Sequence, residues 1–315
     1  MPIKIVFLDM ATMGDDIDQS PLRKRGDFIT YPYTSKAEIP ERIKDADVVM
    51  VNKLYIGREE IDSAEKLKLI CVSATGVNNI DTEYASIKGI PVMNVVNYST
   101  ESVTQITFGS LLTLVNNTIY FDRVVKDGSY SNNMHFTDTG RFFHEICGMN
   151  YGVIGMGNIG KRVAGIASAF GCNVCYFPTS GVAHCSDYPA VELDELLRKC
   201  DIISIHAPLT DKTRNLINME KLKLMKPSSI LINLGRGAIV NEQDLADAID
   251  RGIIGGAAID VYSVEPIPAD HPYLRMKNKD RMVLTPHIGW ASIEARRTLM
   301  ERLGENVDSV FGKTI

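Results

Sequence analysis

No apolar run in the 315 residues is long enough to span a bilayer. The opening Met1-Pro2-Ile3-Lys4-Ile5-Val6-Phe7-Leu8-Asp9 reads as a first strand and lacks the long apolar core and small-residue cleavage site of a secretory signal. A membrane protein and a secreted one are therefore not expected, and the cytoplasm is the default location. Basic excess is missing as well: 34 Lys and Arg stand against 39 Asp and Glu, a formal net charge of −5. The densest basic runs, Arg23-Lys24-Arg25 and Arg275 to Arg281 around Asp280, are short enough to be solvated faces, so no nucleic-acid partner is expected. Six cysteines (71, 147, 172, 175, 185 and 200) fall mostly in apolar stretches, as buried thiols in a reducing compartment do. Cys172-x-x-Cys175 has no second pair at matching spacing, and within a strand its side chains would point to opposite faces, so no metal is expected. Internal repeats and low-complexity tracts are absent.

Hydrophobic residues make up 45% of the chain and charged residues 23%, an ordinary globular balance, and the length allows about two domains. The chain is organised around Tyr151–Gly160, Y-G-V-I-G-M-G-N-I-G. An apolar run enters a turn built on Gly155, Gly157 and Gly160, and an amphipathic stretch, 161–170, leaves it. In such a dinucleotide-binding turn the first glycine permits the bend. The second lets the backbone approach a pyrophosphate, and the third lets the helix pack on the strand. The helix that starts there aims unpaired N–H groups and a positive dipole end at the phosphates.

Before this motif, apolar runs at 3–9, 47–52, 67–73 and 90–95 alternate with polar periodic segments such as 38–44 and 59–66, which predicts a parallel sheet covered by helices. A long helix is expected from Ser99 or Thr100 to about Tyr120, followed over 121–146 by a helix end and a surface connection. After the motif, runs at 173–177, 201–207, 229–234, 254–261 and 282–285 alternate with helical patterns at 193–199, 221–225 and 242–250. Six strands separated by helices predict a second doubly wound sheet, closed by a helix over 292–310. The fold class is thus α/β with two doubly wound parallel-sheet domains.

Three polar residues stand where strands of the second sheet end: Arg236 in Asn233-Leu234-Gly235-Arg236-Gly237, Glu265 in Val261-Tyr262-Ser263-Val264-Glu265-Pro266, and His287 in Thr285-Pro286-His287-Ile288. Each alone reads as a surface charge, a loop carboxylate or a core histidine. Carboxyl ends of parallel strands face the ligand crevice, so three at matching positions point to a catalytic set beside a nicotinamide.

These motifs together resemble the D-isomer-specific 2-hydroxyacid dehydrogenases. Ala74-Thr75-Gly76-Val77-Asn78-Asn79-Ile80-Asp81, the stretch Asn97 to Val103, Ile17 to Leu22 and Gly289-Trp290-Ala291-Ser292 are most similar to the hydroxypyruvate reductase (glycerate dehydrogenase) branch. The resemblance implies a Rossmann cofactor domain, 99–287, inserted into a flavodoxin-like substrate domain, 1–98 and 288–315. It implies reduction of a 2-oxo acid, hydroxypyruvate or glyoxylate, by hydride transfer from NAD(P)H with His287 as proton donor. A nearby carboxylate favours the imidazolium, so Glu265 would keep the ring charged and oriented. Arg236 offers a planar fork to the substrate carboxylate. Backbone N–H groups of Gly76 and Val77, with Asn52 and Lys53, are implied on the substrate side, in an interdomain cleft whose closure would exclude water.

For the cofactor the resemblance places Thr104 near the nicotinamide, Asn158 and Ile159 at the pyrophosphate, and His206, Ala207 and Pro208 beneath the adenosine ribose. It places Asp260 towards the carboxamide and adds Leu234, Gly235, Arg236, His287, Gly289 and Thr179 to the lining. One departure bears on specificity. The acidic residue that would bind the adenine ribose hydroxyls is absent, because the second strand continues into Pro178-Thr179-Ser180, and no Arg or Lys lies between Gly171 and Asp187. NAD is expected, with weak discrimination against NADP. A homodimer, with the 100–120 helix near its contact, is also implied. The rival enzymes are D-lactate-type and phosphoglycerate-type dehydrogenases; 315 residues leave no room for the regulatory domain that many of the latter carry. A different class, an NAD(H)-sensing corepressor-like binding protein, shares the scaffold, and the lack of disordered arms argues against it.

Overall fold

Short apolar runs flanked by amphipathic segments can bury all their surface only in a parallel sheet with helices on both faces. The computed structural model describes residues 2–312 and builds two such sheets. Residues up to Ser99 and from Ala291 onward form one unit, and Thr100–Trp290 form the other. The expected span of 1–98 and 288–315 takes in residues 1 and 313–315, which lie outside the described residues. Ile288 and Gly289 stay with the second unit because their N–H groups bond to Asp260.

The first unit holds five parallel strands, β1 (Lys4–Phe7), β2 (Asp27–Thr30), β3 (Val48–Val51), β4 (Leu69–Val72) and β5 (Val92–Met93), in the order β2-β1-β3-β4-β5. The chain turns back on itself between β1 and β3, so the crevice of this sheet opens beyond their carboxyl ends. Val6, Val49, Val51, Ile70 and Val72 pack with Ile39 and Ile43 in its core. Strand β2 was not expected. It is an edge strand of four residues with an exposed Asp27 and one buried side chain, Phe28, so it carries neither a full apolar run nor strict alternation.

The second unit holds β6 (Asn150–Ile154), β7 (Asn173–Phe177), β8 (Ile202–Ile205), β9 (Ile230–Asn233), β10 (Gly256–Ile259) and β11 (Met282–Leu284), ordered β11-β10-β9-β8-β6-β7 and parallel throughout. Side chains alternate between its faces. Ile203, Ile205, Leu231, Ala257 and Ile259 meet Leu245 and Ile249 on one side. Tyr151, Val153, Ile202, Ile232 and Ala258 meet Val103, Phe108 and Val163 on the other. The order reverses between β6 and β8, which puts the ligand crevice beyond their ends.

The expected single helix over 100–120 is two helices. Thr100–Val115 stops before Asn117, which adopts a left-handed backbone with φ +49°, and Thr118–Lys126 begins anew. An asparagine tolerates that conformation better than most residues, so the Asn116-Asn117 pair is the break. The stretch 121–146, read as a helix end and a surface connection, contains the rest of this second helix and a 3-10 turn, Ser129–Asn132. The second helix buries no residue, so no core contact marks where it starts.

Candidate active site

The glycine turn sits at the point where the strand order reverses. Gly155 follows β6 with φ +93°, a left-handed conformation that favours glycine. A Cβ there would lie 2.9 Å from the His206 carbonyl oxygen and 3.0 Å from the Ala207 backbone, residues that follow β8. Gly157 caps the helix Asn158–Ala169, and a Cβ built on it meets nothing within 4 Å, so its face is open to a close-approaching group. At Gly160 a Cβ would overlap the Gly155 carbonyl oxygen. Asn158 opens the helix, and Ile159 packs against the adjoining core.

These features fit a dinucleotide. His206 is half-buried, yet its Nδ1 reaches neither solvent nor a partner in the protein, and its Nε2 lies 3.0 Å from the Ser204 hydroxyl. Burial pushes the His206 imidazole down to about 3, so it is neutral at physiological pH. Ala207 is buried and Pro208 exposed beside it, while Thr179 lies half-buried in the turn after β7.

Replacing Gly160 with Ala should lower stability by about 1–3 kcal/mol through forced overpacking and weaken NADH binding in a fluorescence titration. Gly165→Ala, on the exposed side of the same helix with no atom within 4 Å, should instead stabilise by about 0.5–1 kcal/mol. Equal effects of the two would refute the close strand–helix packing.

Arg236 follows β9 on a turn tied by Asn233. The fully buried Asn233 amide donates to the Arg236 carbonyl at 3.0 Å, and its oxygen accepts the Gly235 N–H at 3.0 Å. Gly235 lies against the Ala207 carbonyl, where a Cβ would come within 3.0 Å, and Leu234 is buried. The half-buried Arg236 guanidinium donates to the Gly235 carbonyl from Nη1 at 2.8 Å. Asn233 was not singled out in the sequence; a buried polar residue in the last position of an apolar strand is the signal that marks it.

His287 and Glu265 meet. Nδ1 of His287 lies 2.7 Å from Oε2 of Glu265, with 24% and 29% of the two side chains exposed, so the pair is screened from solvent only in part. His287 has φ +54°, an uncommon conformation for a residue with a Cβ. Asp260, at the end of β10 and 2% exposed, holds it there. Its Oδ1 accepts the Thr285 hydroxyl at 2.6 Å and the Ile288 N–H at 2.9 Å, and its Oδ2 accepts the Gly289 N–H at 2.8 Å. Both carboxylate oxygens of Asp260 are thus engaged with the turn that carries His287. Gly289 is packed against that carboxylate, Leu234 and Val103. Thr104, buried in the helix Thr100–Val115, donates its hydroxyl to the Thr100 carbonyl at 2.7 Å.

Asn52 and Lys53 follow β3 in the first unit, where Asp9, given no site role in the sequence, organises them. The 4%-exposed Asp9 carboxylate accepts the N–H groups of Asn52 at 2.8 Å, Lys53 at 2.7 Å and Leu54 at 3.2 Å. Burial raises its pKa, and those backbone donors partly oppose the rise. The Asn52 amide donates to Thr12 at 3.0 Å. Gly76 and Val77 lie half-buried in the loop after β4. Asp9→Ala leaves buried N–H groups unpaired and should cost about 1–3 kcal/mol in chemical denaturation. No loss would show that water replaces the carboxylate.

Residues 108–289 match the model of the D-isomer specific 2-hydroxyacid dehydrogenase NAD binding domain. The chain belongs to that family. It is an oxidoreductase acting on a CH–OH group with NAD as cofactor. Hydroxypyruvate reductase of Blautia hydrogenotrophica is 36% identical over 97% of this chain and 96% of its own. Among solved structures, D-lactate dehydrogenase from Aquifex aeolicus complexed with NAD and lactic acid superposes with a TM-score of 0.84, at 30% identity over 97% of this chain and 95% of that one. An acyclic imino acid reductase, Bsp5, in complex with NADPH and D-Arg reaches a TM-score of 0.86 at 29% identity, over 98% and 96%. Among the described residues of this dehydrogenase, no helix is long and apolar enough to cross a membrane, and no group of three or more His, Cys, Asp or Glu could hold a metal.

Proposed function

We propose that this dehydrogenase reduces hydroxypyruvate or glyoxylate to the D-2-hydroxy acid, with His287 as the proton donor. The observation that carries the reading is the 2.7 Å pair of His287 and Glu265, set after strands of the sheet that also presents Arg236. Nδ1 faces Glu265, which leaves Nε2 as the ring nitrogen for a substrate. The carboxylate holds Nδ1 and fixes the ring. Bound NADH supplies a hydride to the carbonyl carbon. Nε2–H of His287 protonates the carbonyl oxygen, and the guanidinium of Arg236 grips the substrate carboxylate and polarises the carbonyl. Asp260 keeps the His287 turn in place, and Asp9 fixes the backbone of Asn52 and Lys53, the residues assigned to the substrate side.

The turn after β7 offers Thr179 and Ser180 to the adenosine ribose, with neither a carboxylate to repel a 2′-phosphate nor an Arg or Lys between Gly171 and Asp187 to attract one. NADH is therefore the preferred reductant and NADPH a usable one. A spectrophotometric panel of 2-oxo acids with both cofactors tests the assignment. Hydroxypyruvate and glyoxylate should exceed pyruvate in kcat/KM by about tenfold or more, since a pocket shaped for one small substituent discriminates by at least that factor. A clear preference for pyruvate would favour the D-lactate reading. Oxidation of neither cofactor by any 2-oxo acid would refute the proposal.

The protein works as a cytoplasmic homodimer on this reading. All six cysteines are free, as a reducing compartment keeps them. The stretch after the helix Thr118–Lys126 exposes 96% of Met134, 92% of Phe136 and 86% of Phe142, apolar surface that a second copy would cover. Sedimentation velocity should give twice the chain mass, and Phe136→Asp with Phe142→Asp should give monomers. A monomeric wild type would refute the dimer.

A further inference from the structure

One residue bonds both Glu265 and the turn that carries His287. The backbone N–H of Tyr262 donates to Oε1 of Glu265 at 3.0 Å, which turns the other carboxylate oxygen, Oε2, to Nδ1 of His287 at 2.7 Å. The phenol of Tyr262 donates to the Thr285 carbonyl at 3.0 Å. That same carbonyl accepts the N–H of His287 at 3.1 Å, across Pro286. We propose that Tyr262 is a positioning residue for the reduction, fixing the carboxylate through its amide and the histidine turn through its phenol.

Tyr262 is itself well anchored. A Cβ on Gly237 would overlap the Tyr262 carbonyl, so the two backbones lie in direct contact. The next N–H, of Ser263, donates to Oε1 of Glu242 at 2.8 Å, and the other oxygen of Glu242 lies 3.3 Å from Nε2 of the buried His271. The Tyr262 ring meets His271 edge-on at 5.8 Å and Tyr273 at 6.4 Å. The titratable groups around it are thus Asp260, Glu265, Glu242, His271 and Tyr273. Burial and the three carboxylates push the Tyr262 phenol up to about 12, which keeps its proton in place as a donor. The hydroxyl has a further reason to matter. His287 occupies a left-handed conformation, and on the β10 side Asp260 restrains it through Thr285, Ile288 and Gly289. The Tyr262 phenol adds a tether to the Thr285 carbonyl, which also accepts the His287 amide.

The inference rests on His287 being the proton donor, and the test separates the two. Tyr262→Phe keeps the ring and the backbone amide and removes only the tether. It should lower kcat for 2-oxo acid reduction by about 5–10-fold, the usual worth of one lost hydrogen bond, with the Kd for NADH unchanged. The downfield proton resonance of the His287 Nδ1–H should broaden or shift. A tyrosine that merely filled space would alter the melting temperature and leave that resonance alone. Tyr262→4-aminophenylalanine retains a donor at the para position and should restore both kcat and the resonance, whereas Tyr262→4-fluorophenylalanine should behave as phenylalanine. Wild-type kcat and an unchanged resonance in Tyr262→Phe, with His287→Ala inactive, would overturn the positioning role alone. Wild-type rates in His287→Ala would instead remove the reading on which it stands.

Discussion

Replacing His287 with alanine lowers kcat for 2-oxo acid reduction by roughly 10²–10⁴-fold, the range that loss of a positioned general acid produces. The effect belongs to the chemical step. The imidazole has one nitrogen on Glu265 at 2.7 Å and is 24% exposed, so it is not a core residue whose removal collapses the fold. Cofactor affinity should stay within about twofold, because the glycine turn and the residues after β8 are untouched. Glu265→Gln should fall between wild type and His287→Ala, since the amide still reaches Nδ1 but the carboxylate charge beside the ring is gone. Rates equal to wild type in His287→Ala would assign the proton to another group.

Arg236→Lys is the second large effect, expected in KM for the 2-oxo acid. Arginine presents two parallel N–H donors to a carboxylate, and lysine keeps the charge but cannot make the fork. Loss of one charge-assisted hydrogen bond is worth about 1.5–3 kcal/mol, which is roughly a tenfold to hundredfold rise in KM. The Asn233 clamp on the Arg236 backbone survives the substitution, so the turn stays in place. Unchanged KM with an unchanged kcat would remove Arg236 from the substrate carboxylate.

What could be read in the sequence follows from which forces are local. Most strands of both sheets are short apolar runs set beside helical patterns, and the turn between β6 and its helix stands out by the spacing of its glycines. The edge strand β2 buries too little to leave a pattern, and the helix Thr118–Lys126 buries no residue. Arg236, Glu265 and His287 were visible because each is polar at the end of an apolar run. Only the folded chain shows that Nδ1 of His287 faces Glu265 across 21 intervening residues. Asp9 and the double engagement of Asp260 were hidden for a different reason. A carboxylate that holds backbone N–H groups is indistinguishable in sequence from one that faces solvent, because its partners are main-chain atoms common to every residue. The relatives place the chain in its family; the hydrogen bonds say which of its polar residues are free to meet a substrate and which are occupied in holding others.

The central claim is that a hydride reaches the carbonyl carbon of a 2-oxo acid while His287 protonates the oxygen. It is tested most directly by incubating the enzyme with hydroxypyruvate and NADH deuterated at both C4 positions, then resolving the product on a chiral column and locating deuterium by NMR. The account predicts D-glycerate carrying one deuterium at C2, in wild type and, far more slowly, in His287→Ala. L-glycerate, or product without deuterium at C2, would contradict it.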